Sequence, residues 1–362
     1  MKTLQRWGKR FKGYTIGLDL HQSFIEVVVL DPRGNNAGSK RIGFKAAELE
    51  KLLLEWRQRG PVQVAFEACG CFVWVFELAV RVLGREQVHA AHAAKIRMIA
   101  QSMEKNDHND AWWLAYMLYE TRLPEAFVAE GELRELRKAG RELRFYTDLR
   151  SDLVRRVRSS LAQLGLKLKK SWHTSKIRRD ETKEVLNSIK GTEGQALQDL
   201  YAQIEQLSVL IAKWRGIVEK LCKSFPEIEV IKTNMPGFRV VLGGLLYGEM
   251  GSPKRFHAAK AYANGTGLTP AFRESGGKAQ AVGITRQGSR LARWALTRAV
   301  IACTRCTKNA AGVQVKKWVA KQVERGKPKR KAIVAAARKL AEGVWRLISW
   351  GEVFDLKRAF PA

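Results

Sequence analysis

The sequence lacks three features that would define common protein classes: long apolar runs, a cysteine framework and a balancing number of acidic residues. No stretch of about 18 uncharged apolar residues occurs, which argues against a membrane span. Segment 1–7 is basic but has no apolar core or small-residue cleavage site, so no signal peptide is expected. The cysteines form an odd set without framework spacing, as is typical of a reducing cytoplasm: Cys69, Cys71, Cys222, Cys303 and Cys306. A cytoplasmic protein is predicted.

Because acidic residues are scarce, the chain is strongly positive, and the charge is unevenly distributed. Lysine and arginine total 65 against 35 aspartate and glutamate residues, a net charge of +30. Residues 1–120 hold 17 basic and 13 acidic residues, so nearly all of the excess lies beyond them. A merely soluble basic surface is the alternative interpretation. An excess this large favours a nucleic-acid partner, bound in a salt-dependent way, and hence association with the nucleoid.

The first third of the chain alternates predicted strands and helices. At 46% hydrophobic residues, the 362-residue chain can fill two or three domain cores. Apolar runs and turn signals predict strands at 14–20, 24–30, 41–44, 62–66 and 88–91, and helices at 46–59, 72–83 and 107–119. Three strands, a helix, a strand, a helix, a strand and a helix is the order of an RNase H-like fold. We therefore predict an RNase H-like domain over residues 1–125.

The rest of the chain is predicted to be mostly helical, which makes the fold class α/β plus all-α. In the basic region 126–225, apolar residues spaced alternately three and four apart indicate a coiled coil: Leu197, Leu200, Ile204, Leu207, Ile211, Trp214, Val218 and Leu221. The stripe fits an internal helical hairpin, and a dimer at least as well. Residues 226–362 are predicted to form a mostly helical domain. It has a helix-hairpin-helix-like element near Pro236 and a glycine-punctuated loop over 265–288.

Four acids in the first region are candidate metal ligands. Asp19 lies inside an apolar strand, and Glu67 ends the next long one. A buried carboxylate is unfavourable unless it is paired, protonated or bound to a cation. Asp107 and Asp110 are three residues apart, so a helix directs both to one face. In the predicted fold all four converge at one edge of the sheet.

Converging carboxylates repel each other, and the natural counter-charge is a pair of Mg²⁺ ions, which can stabilise phosphoryl transfer. Taken alone, Asp107 and Asp110 fit equally well as acids favoured by a helix N-terminus. His21 and His108 flank the acids as candidate ligands or proton shuttles, although a histidine in a turn is the favoured interpretation of both.

The chain resembles the DEDD-type insertion-sequence transposases. The matching segments in the first region are 17–21 (GLDLH), 66–70 (FEACG) and 105–111 (KNDHNDA). Those in the last region are 235–237 (MPG), 267–270 (GLTP), 275–278 (SGGK), 283–288 (GITRQG) and 290–293 (RLAR). Together they run through nearly the whole chain in the expected order.

The resemblance implies that Asp19, Glu67, Asp107 and Asp110 bind the metal, and that Ser275 forms a covalent phosphoserine link to cleaved DNA. On residue chemistry alone, a serine before two glycines is usually a flexible turn, although glycines let DNA approach closely. Candidate phosphate contacts are Arg273, Lys278 and Arg286, for which solvated loop charges rank equally, and the backbone N–H groups at Gly237.

The resemblance further implies an RNA-guided recombinase. Its partners would be donor and target DNA duplexes, a structured guide or bridge RNA, and a second copy of the chain, in a homodimer or a tetramer. RNA base pairing would then choose the sequence. Two other functions compete: a hydrolytic RNase H-like nuclease or junction resolvase, with water as nucleophile, and a non-enzymatic architectural protein. The positive charge fits both, but placed carboxylates do not fit the second.

Overall fold

The chain divides into two compact units, with the boundary in the sequence between Val128 and Ala129. The computed structural model describes residues 11–93, 95–96, 107–168, 172–275, 278–285, 287–305 and 309–361. An α/β first unit followed by a mostly helical remainder confirms the predicted fold class at this level. No helix within these ranges is long and apolar enough to cross a membrane.

A five-stranded mixed sheet forms the first unit. Its strands are β1 (Tyr14–Leu20), β2 (Phe24–Leu30), β3 (Asn36–Gly43), β4 (Val62–Glu67) and β5 (Val88–Ala91). Their spatial order is β3-β2-β1-β4-β5. The first three strands are antiparallel neighbours, whereas β4 runs parallel to β1 and β5 parallel to β4. The strand β1 therefore lies at the centre of the sheet.

Helices cover both faces of this sheet. The helices α1 (Ala46–Arg59) and α2 (Phe72–Leu83) pack on one face, where alternate residues of β1 and β4, such as Ile16 and Val64, join their core. The helix α3 (Asp107–Tyr119) packs on the other face against Val28 and Leu30. Since side chains alternate along a strand, residues 15, 17 and 19 of β1 face the α3 side.

A glycine in β1 sets the distance between the sheet and α3. A Cβ atom at Gly17 would lie 1.9 Å from the Ala111 carbonyl oxygen and 2.7 Å from the Ala115 nitrogen, so no larger residue fits. The backbone of α3 can therefore lie directly on β1. Asp19 follows two residues later on the same face, and Asp107 lies one helical turn before Ala111, so the close contact brings the two acids together.

The second unit begins with a long antiparallel helical hairpin. It consists of α4 (Gly131–Gln163) and α6 (Gly191–Leu221), with the shorter α5 (Lys176–Asn187) between them in sequence. The apolar stripe of α6 packs on α4 of the same chain: Leu197 and Ile204 contact a cluster with Val157, and Val218 contacts one with Leu136. The internal hairpin thus accounts for the seam, and a dimer interface is not needed to bury it.

The remaining helices form a separate apolar core. They are α7 (Pro226–Asn234), α8 (Val240–Met250), α9 (Ala259–Gly265), α10 (Arg290–Arg305), α11 (Ala310–Glu324), α12 (Lys329–Trp350) and α13 (Leu356–Ala359). Between α9 and α10, the strands β6 (Pro270–Ser275) and β7 (Lys278–Ile284) pair as an antiparallel hairpin. The prediction of a loop over 265–288 was therefore wrong for these residues, because a backbone ladder with a register shift between Ala271 and Phe272 forms despite the glycines.

An ion pair ties α8 to α4 within this unit. The buried Glu249 accepts hydrogen bonds from both arms of the Arg141 guanidinium, at 2.7 and 3.2 Å, and a third from the Ser289 hydroxyl at 2.9 Å. The Arg137 guanidinium donates to the backbone carbonyls of Gly248 and Glu249, both at 2.8 Å. Every buried oxygen of Glu249 is thus paired, as a buried charge requires.

Candidate metal centre

The end of β1 and the start of α3 bring two of the predicted acids together. The Asp19 carboxylate lies 2.9 Å from Nε2 of His21, and the same nitrogen lies 3.4 Å from a carboxylate oxygen of Asp107. One ligand atom from each of these three residues lies within 4.8 Å of the others. Two carboxylate oxygens and an imidazole nitrogen at this separation can share one divalent cation.

The other two predicted acids border the same place. Asp110 is in the first turn of α3, on the face it shares with Asp107, and its charge acts on Asp19. Glu67 ends β4, and the pairing of Leu18 with Phe66 places it beside Asp19 on the neighbouring parallel strand. A hydrogen bond from Gln63 to Thr15 at 3.0 Å shows that odd-numbered residues of both strands share the α3 face. Asp19 and Glu67 continue that row.

Burial and repulsion disfavour the ionised form of the Asp19 carboxyl group. Its pKa is raised above the ordinary value, mainly by burial and further by the charges of Asp110 and Asp107, while the hydrogen bond and charge of His21 act in the opposite direction. A bound cation would remove this penalty, because it supplies the missing counter-charge. The electrostatics of the cluster therefore favour a cation.

Two further charged residues adjoin the cluster and were missed by the sequence reasoning. Glu26 is the register partner of Asp19 on β2 and is buried, and the Arg41 guanidinium on β3 donates to its carboxylate at 2.8 Å. The Arg41 side chain also lies 3.7 Å from Asp107. Arg41 thus neutralises Glu26 and holds one edge of the acid cluster. An acid inside the otherwise apolar strand FIEVVVL was the signal for Glu26.

The nearby thiols do not make this a soft-metal site. The Cys69 and Cys71 sulfurs lie 3.3 Å apart after β4. Burial, the neighbouring Cys69 and the charge of Asp19 together raise the pKa of the Cys71 thiol to about 11. Among the described residues, the ligand atoms that lie within 4.8 Å of one another belong to Asp19, His21 and Asp107 and include no thiol. The oxygen-rich cluster suits a hard cation such as Mg²⁺.

The two histidines that flank the acids differ. His21 contacts both Asp19 and Asp107, so its place in a turn does not exclude a part in the cluster. The ring of His108 instead lies 3.2 Å from the exposed Ser39 hydroxyl.

The residues predicted from the last region lie on different elements. Ser275 is the last residue of β6, and its backbone pairs with Lys278, the first residue of β7. Arg273 is opposite Gln280 in the same hairpin. Arg286 lies outside the described residues. Gly237 has a positive φ of 77°, and a Cβ there would lie 2.1 Å from the Ala299 carbonyl oxygen of α10, so this turn requires glycine.

Comparison with known protein families identifies the class. A carboxylate cluster in a mixed sheet, on a chain this basic, is typical of metal-dependent enzymes that act on nucleic acids. Residues 16–165 match the IS110 DEDD transposase model, and residues 231–314 match that of the IS116/IS110/IS902 transposase family. The chain belongs to the IS110 family of transposases and is a DNA-binding transposase of insertion sequences. No curated protein matches it significantly. The first match contains the four acids and the second contains Ser275.

Proposed function

We propose that the chain is an RNA-guided DNA transposase that cleaves and exchanges strands through a phosphoserine, with Mg²⁺ as cofactor. The observation that carries the proposal is the convergence of Asp19, Asp107 and His21 within 4.8 Å in a chain of a transposase family. The first unit is assigned an RNase H-like fold on its strand order, with a central β1 antiparallel to β2 and parallel to β4.

The residues assigned to hold two Mg²⁺ ions are Asp19, Glu67, Asp107 and Asp110. Their chemistry fits because all are carboxylates, the ligands that Mg²⁺ prefers. Burial and the acidic neighbours raise the pKa of Asp19, and a bound cation would compensate for both effects. When bound, Mg²⁺ would act as a Lewis acid on phosphate oxygens. The chain's own contribution is to fix the carboxylates: β1 and β4 place Asp19 and Glu67 side by side, and α3 adds the other two.

The nucleophile is assigned to Ser275. Its hydroxyl oxygen attacks a DNA phosphorus, the bond from that phosphorus to a sugar oxygen breaks, and the serine proton leaves to a base. The sugar oxygen takes up a proton as it departs. Rejoining reverses these steps on a new sugar hydroxyl, so the phosphodiester is regenerated without an external energy source. The support is that Ser275 is the last residue of β6 and that two glycines follow it in the sequence, since glycines let DNA approach closely.

A structured RNA, donor and target DNA and a second protomer complete the assembly. The net charge of +30 supports a large polyanionic partner. A homodimer, or a tetramer made from it, is supported by apolar side chains that α4 leaves exposed: Phe145 is 54% exposed and Leu149, one turn later, 39%. The boundary predicted at about residue 225, between the coiled-coil region and the last helical domain, also stays a prediction.

The deciding experiment uses the element's junction DNA, the RNA transcribed from its flanks and Mg²⁺. Denaturing gels compare the wild type with Ser275→Ala and Asp19→Asn. We expect a covalent protein–DNA adduct in the wild type and in neither variant. Free cleaved ends without adduct, together with an active Ser275→Ala variant, would instead identify a hydrolytic nuclease or junction resolvase. An Asp19→Asn variant that functions normally would identify an architectural protein.

A further inference from the structure

A cleft in the second unit is lined by arginines from three helices and a turn. It encloses about 780 Å³. The helix α4 contributes Arg144 and Arg150, α6 contributes Arg215, the turn before α8 contributes Arg239, and α10 contributes Arg298 and Arg305. Glu219 is the one acid among the described residues that line it. Arginine side chains from distant parts of the sequence therefore line the same cleft.

Most of these arginines lack an ion-pair partner among the described residues. Within the part of the chain that the structure describes, Arg150, Arg215, Arg239, Arg298 and Arg305 form no salt bridge with a carboxylate. Arginines elsewhere in the same unit do, as Arg141 does with Glu249. Like charges gathered without partners repel each other, and a bound anion removes that repulsion.

The pKa values of two of these arginines are lowered, as expected where several guanidinium groups lie close together. Burial lowers the pKa of the Arg150 guanidinium below its ordinary value, and the charges of Arg179 and Arg215 lower it further. The pKa of Arg144 is also lowered, first by burial, and Asp148 only partly offsets the effects of burial and of nearby Arg298. These guanidiniums stay charged at neutral pH, so the cluster is a concentrated positive surface.

Apolar and aromatic side chains lie between the cations. Trp294 lines the cleft, with the Arg144 guanidinium 4.2 Å and that of Arg298 5.7 Å from its ring centre. Val240 and Ile301 line it as well. Single-stranded nucleic acids are held by this combination, in which cations follow the phosphates and apolar or planar groups contact the bases. A duplex keeps its bases stacked inside and could not use such a lining.

The volume of the cleft and a second cavity that shares residues with it also favour a single-stranded nucleic acid as the ligand. Its volume is in the range of pockets for small ligands, about 300–1,000 Å³, and is too small for a duplex. A second cavity of about 660 Å³ shares Arg150 and Arg215 with it and adds Arg179. A chain of phosphates can occupy both cavities, whereas an isolated small anion would fill one part.

We propose that this cleft binds an unpaired segment of a polynucleotide, with its phosphates on the arginines and its bases against Trp294 and the apolar wall. The proposal rests on the proposed function for the class of ligand, since a transposase handles nucleic acid. It adds a place in the second unit where one strand is held, lined by residues other than the four acids and Ser275. RNA and DNA share the chemistry that the cleft recognises, and the test separates them.

The test measures binding of full-length protein to labelled 20-nucleotide single-stranded RNA, single-stranded DNA and a 20-base-pair duplex by fluorescence anisotropy. EDTA is present, so that metal-bridged binding at the acids does not contribute. The cleft variant is Arg239→Ala/Arg298→Ala. The matched control, Arg325→Ala/Arg330→Ala, removes the same charge from exposed positions outside the cleft lining.

We expect the cleft variant to bind single strands at least about tenfold more weakly, and the control less than about threefold. Each lost phosphate contact lowers the slope of log K against log salt by about 0.7 for a single strand, so the slope falls by about 1.4. The lysine versions, Arg239→Lys/Arg298→Lys, keep the charge and are expected to restore most of that slope. The single strand that loses more affinity, RNA or DNA, is the assigned occupant.

Equal losses in the cleft and control variants would overturn the proposal, because binding would then be spread over the surface. So would a loss confined to the duplex. Asp19→Asn, which removes an acid of the first unit, is expected to bind like the wild type in EDTA. If the cleavage experiment fails while the cleft variant still loses single-strand binding, the proposed chemistry is wrong and the binding site stands.

Discussion

Replacing Asp19 with asparagine tests whether the acid cluster lowers the stability of the folded protein when no divalent cation is bound. The amide has nearly the same size as the carboxylate and carries no charge. Asp19 is the more buried partner, with a side chain 18% exposed against 42% for Asp107. We expect the variant to be more stable than the wild type when no divalent cation is present, because it removes repulsion at the end of β1.

The size of the effect follows from the separation of the carboxylates. Oxygens of Asp19 and Asp107 lie within 4.8 Å of each other. Two charges at that distance repel by about 3 kcal/mol at an effective dielectric constant of about 20, and by about 1 kcal/mol in water. Since Asp107 is well exposed and His21 offsets part of the repulsion, the lower figure applies. A gain of about 1 kcal/mol corresponds to roughly 4 °C in Tm.

The effect should depend on pH with a definite sign. The pKa of Asp19 is raised in the folded state, mainly by burial. The wild type therefore has its full stability below the unfolded pKa and loses part of it as pH rises through the folded pKa. The difference between the variant and the wild type should accordingly vanish well below pH 3.8, the ordinary pKa of Asp, and be complete at neutral pH.

Magnesium is expected to reverse the order of stability. A ligand at ten times its dissociation constant stabilises the folded state by about 1.4 kcal/mol, and only the wild type keeps the carboxylate that is proposed to hold Mg²⁺. Thermal unfolding in EDTA and in Mg²⁺ measures both effects, with Glu55→Gln on α1 as a control for loss of an acid. A variant less stable than the wild type in EDTA, or an equal Mg²⁺ shift in both, would refute this account of the cluster.

Other sites yield further expectations. Gly17→Ala should destabilise the protein by about 3 kcal/mol or more in chemical denaturation, because its Cβ would overlap the Ala111 carbonyl. Glu249→Gln should lower stability by about 2 kcal/mol, since the Arg141 guanidinium loses its buried counter-charge. Cys71, with a pKa raised to about 11 by burial, Cys69 and Asp19, should react with iodoacetamide at pH 8 about a hundredfold more slowly than an ordinary cysteine.

Matched substitutions control these experiments. Gly216 lies inside the last turns of α6, and an added Cβ there would meet no atom of another part of the structure within 4 Å, so Gly216→Ala should stabilise the protein by up to about 1 kcal/mol. Glu324→Gln removes an exposed acid and should be nearly neutral. If Gly17→Ala were as harmless as Gly216→Ala, the close contact of β1 and α3 would be wrong. Fast alkylation of Cys71 would contradict its raised pKa.

Much of the first unit could be predicted because its local signals agree with its fold. Strands β1, β2 and β5 and helices α1, α2 and α3 have the predicted bounds, since apolar periodicity and turn residues coincide there. Asp19 could be singled out because an acid in a buried strand conflicts with its surroundings, and Asp107 because it is three residues before Asp110 on one helix face. The predicted strand 41–44 was too short, because the exposed residues from Asn36 pair with β2 by backbone hydrogen bonds alone.

Features that depend on partners far away in sequence could not be predicted. The heptad stripe of α6 was equally compatible with a second chain, and only tertiary packing shows that α4 covers it. Arg41 comes to Glu26 through the pairing of β2 with β3, which no local pattern fixes. The same holds for the arginine cleft, whose members are separated by up to 161 residues between Arg144 and Arg305.

The positive charge beyond residue 120 and the carboxylates of the first unit have opposite effects on a polyanion. Binding of nucleic acid and its cleavage should therefore respond differently to divalent metal. The excess positive charge beyond residue 120 attracts nucleic acid whether or not a metal is present. The carboxylates of Asp19, Glu67, Asp107 and Asp110 repel a phosphodiester unless divalent cations lie between them. Affinity should therefore persist in EDTA and fall steeply with salt, whereas strand cleavage should require Mg²⁺. A protein that loses its affinity for nucleic acid in EDTA would contradict this division.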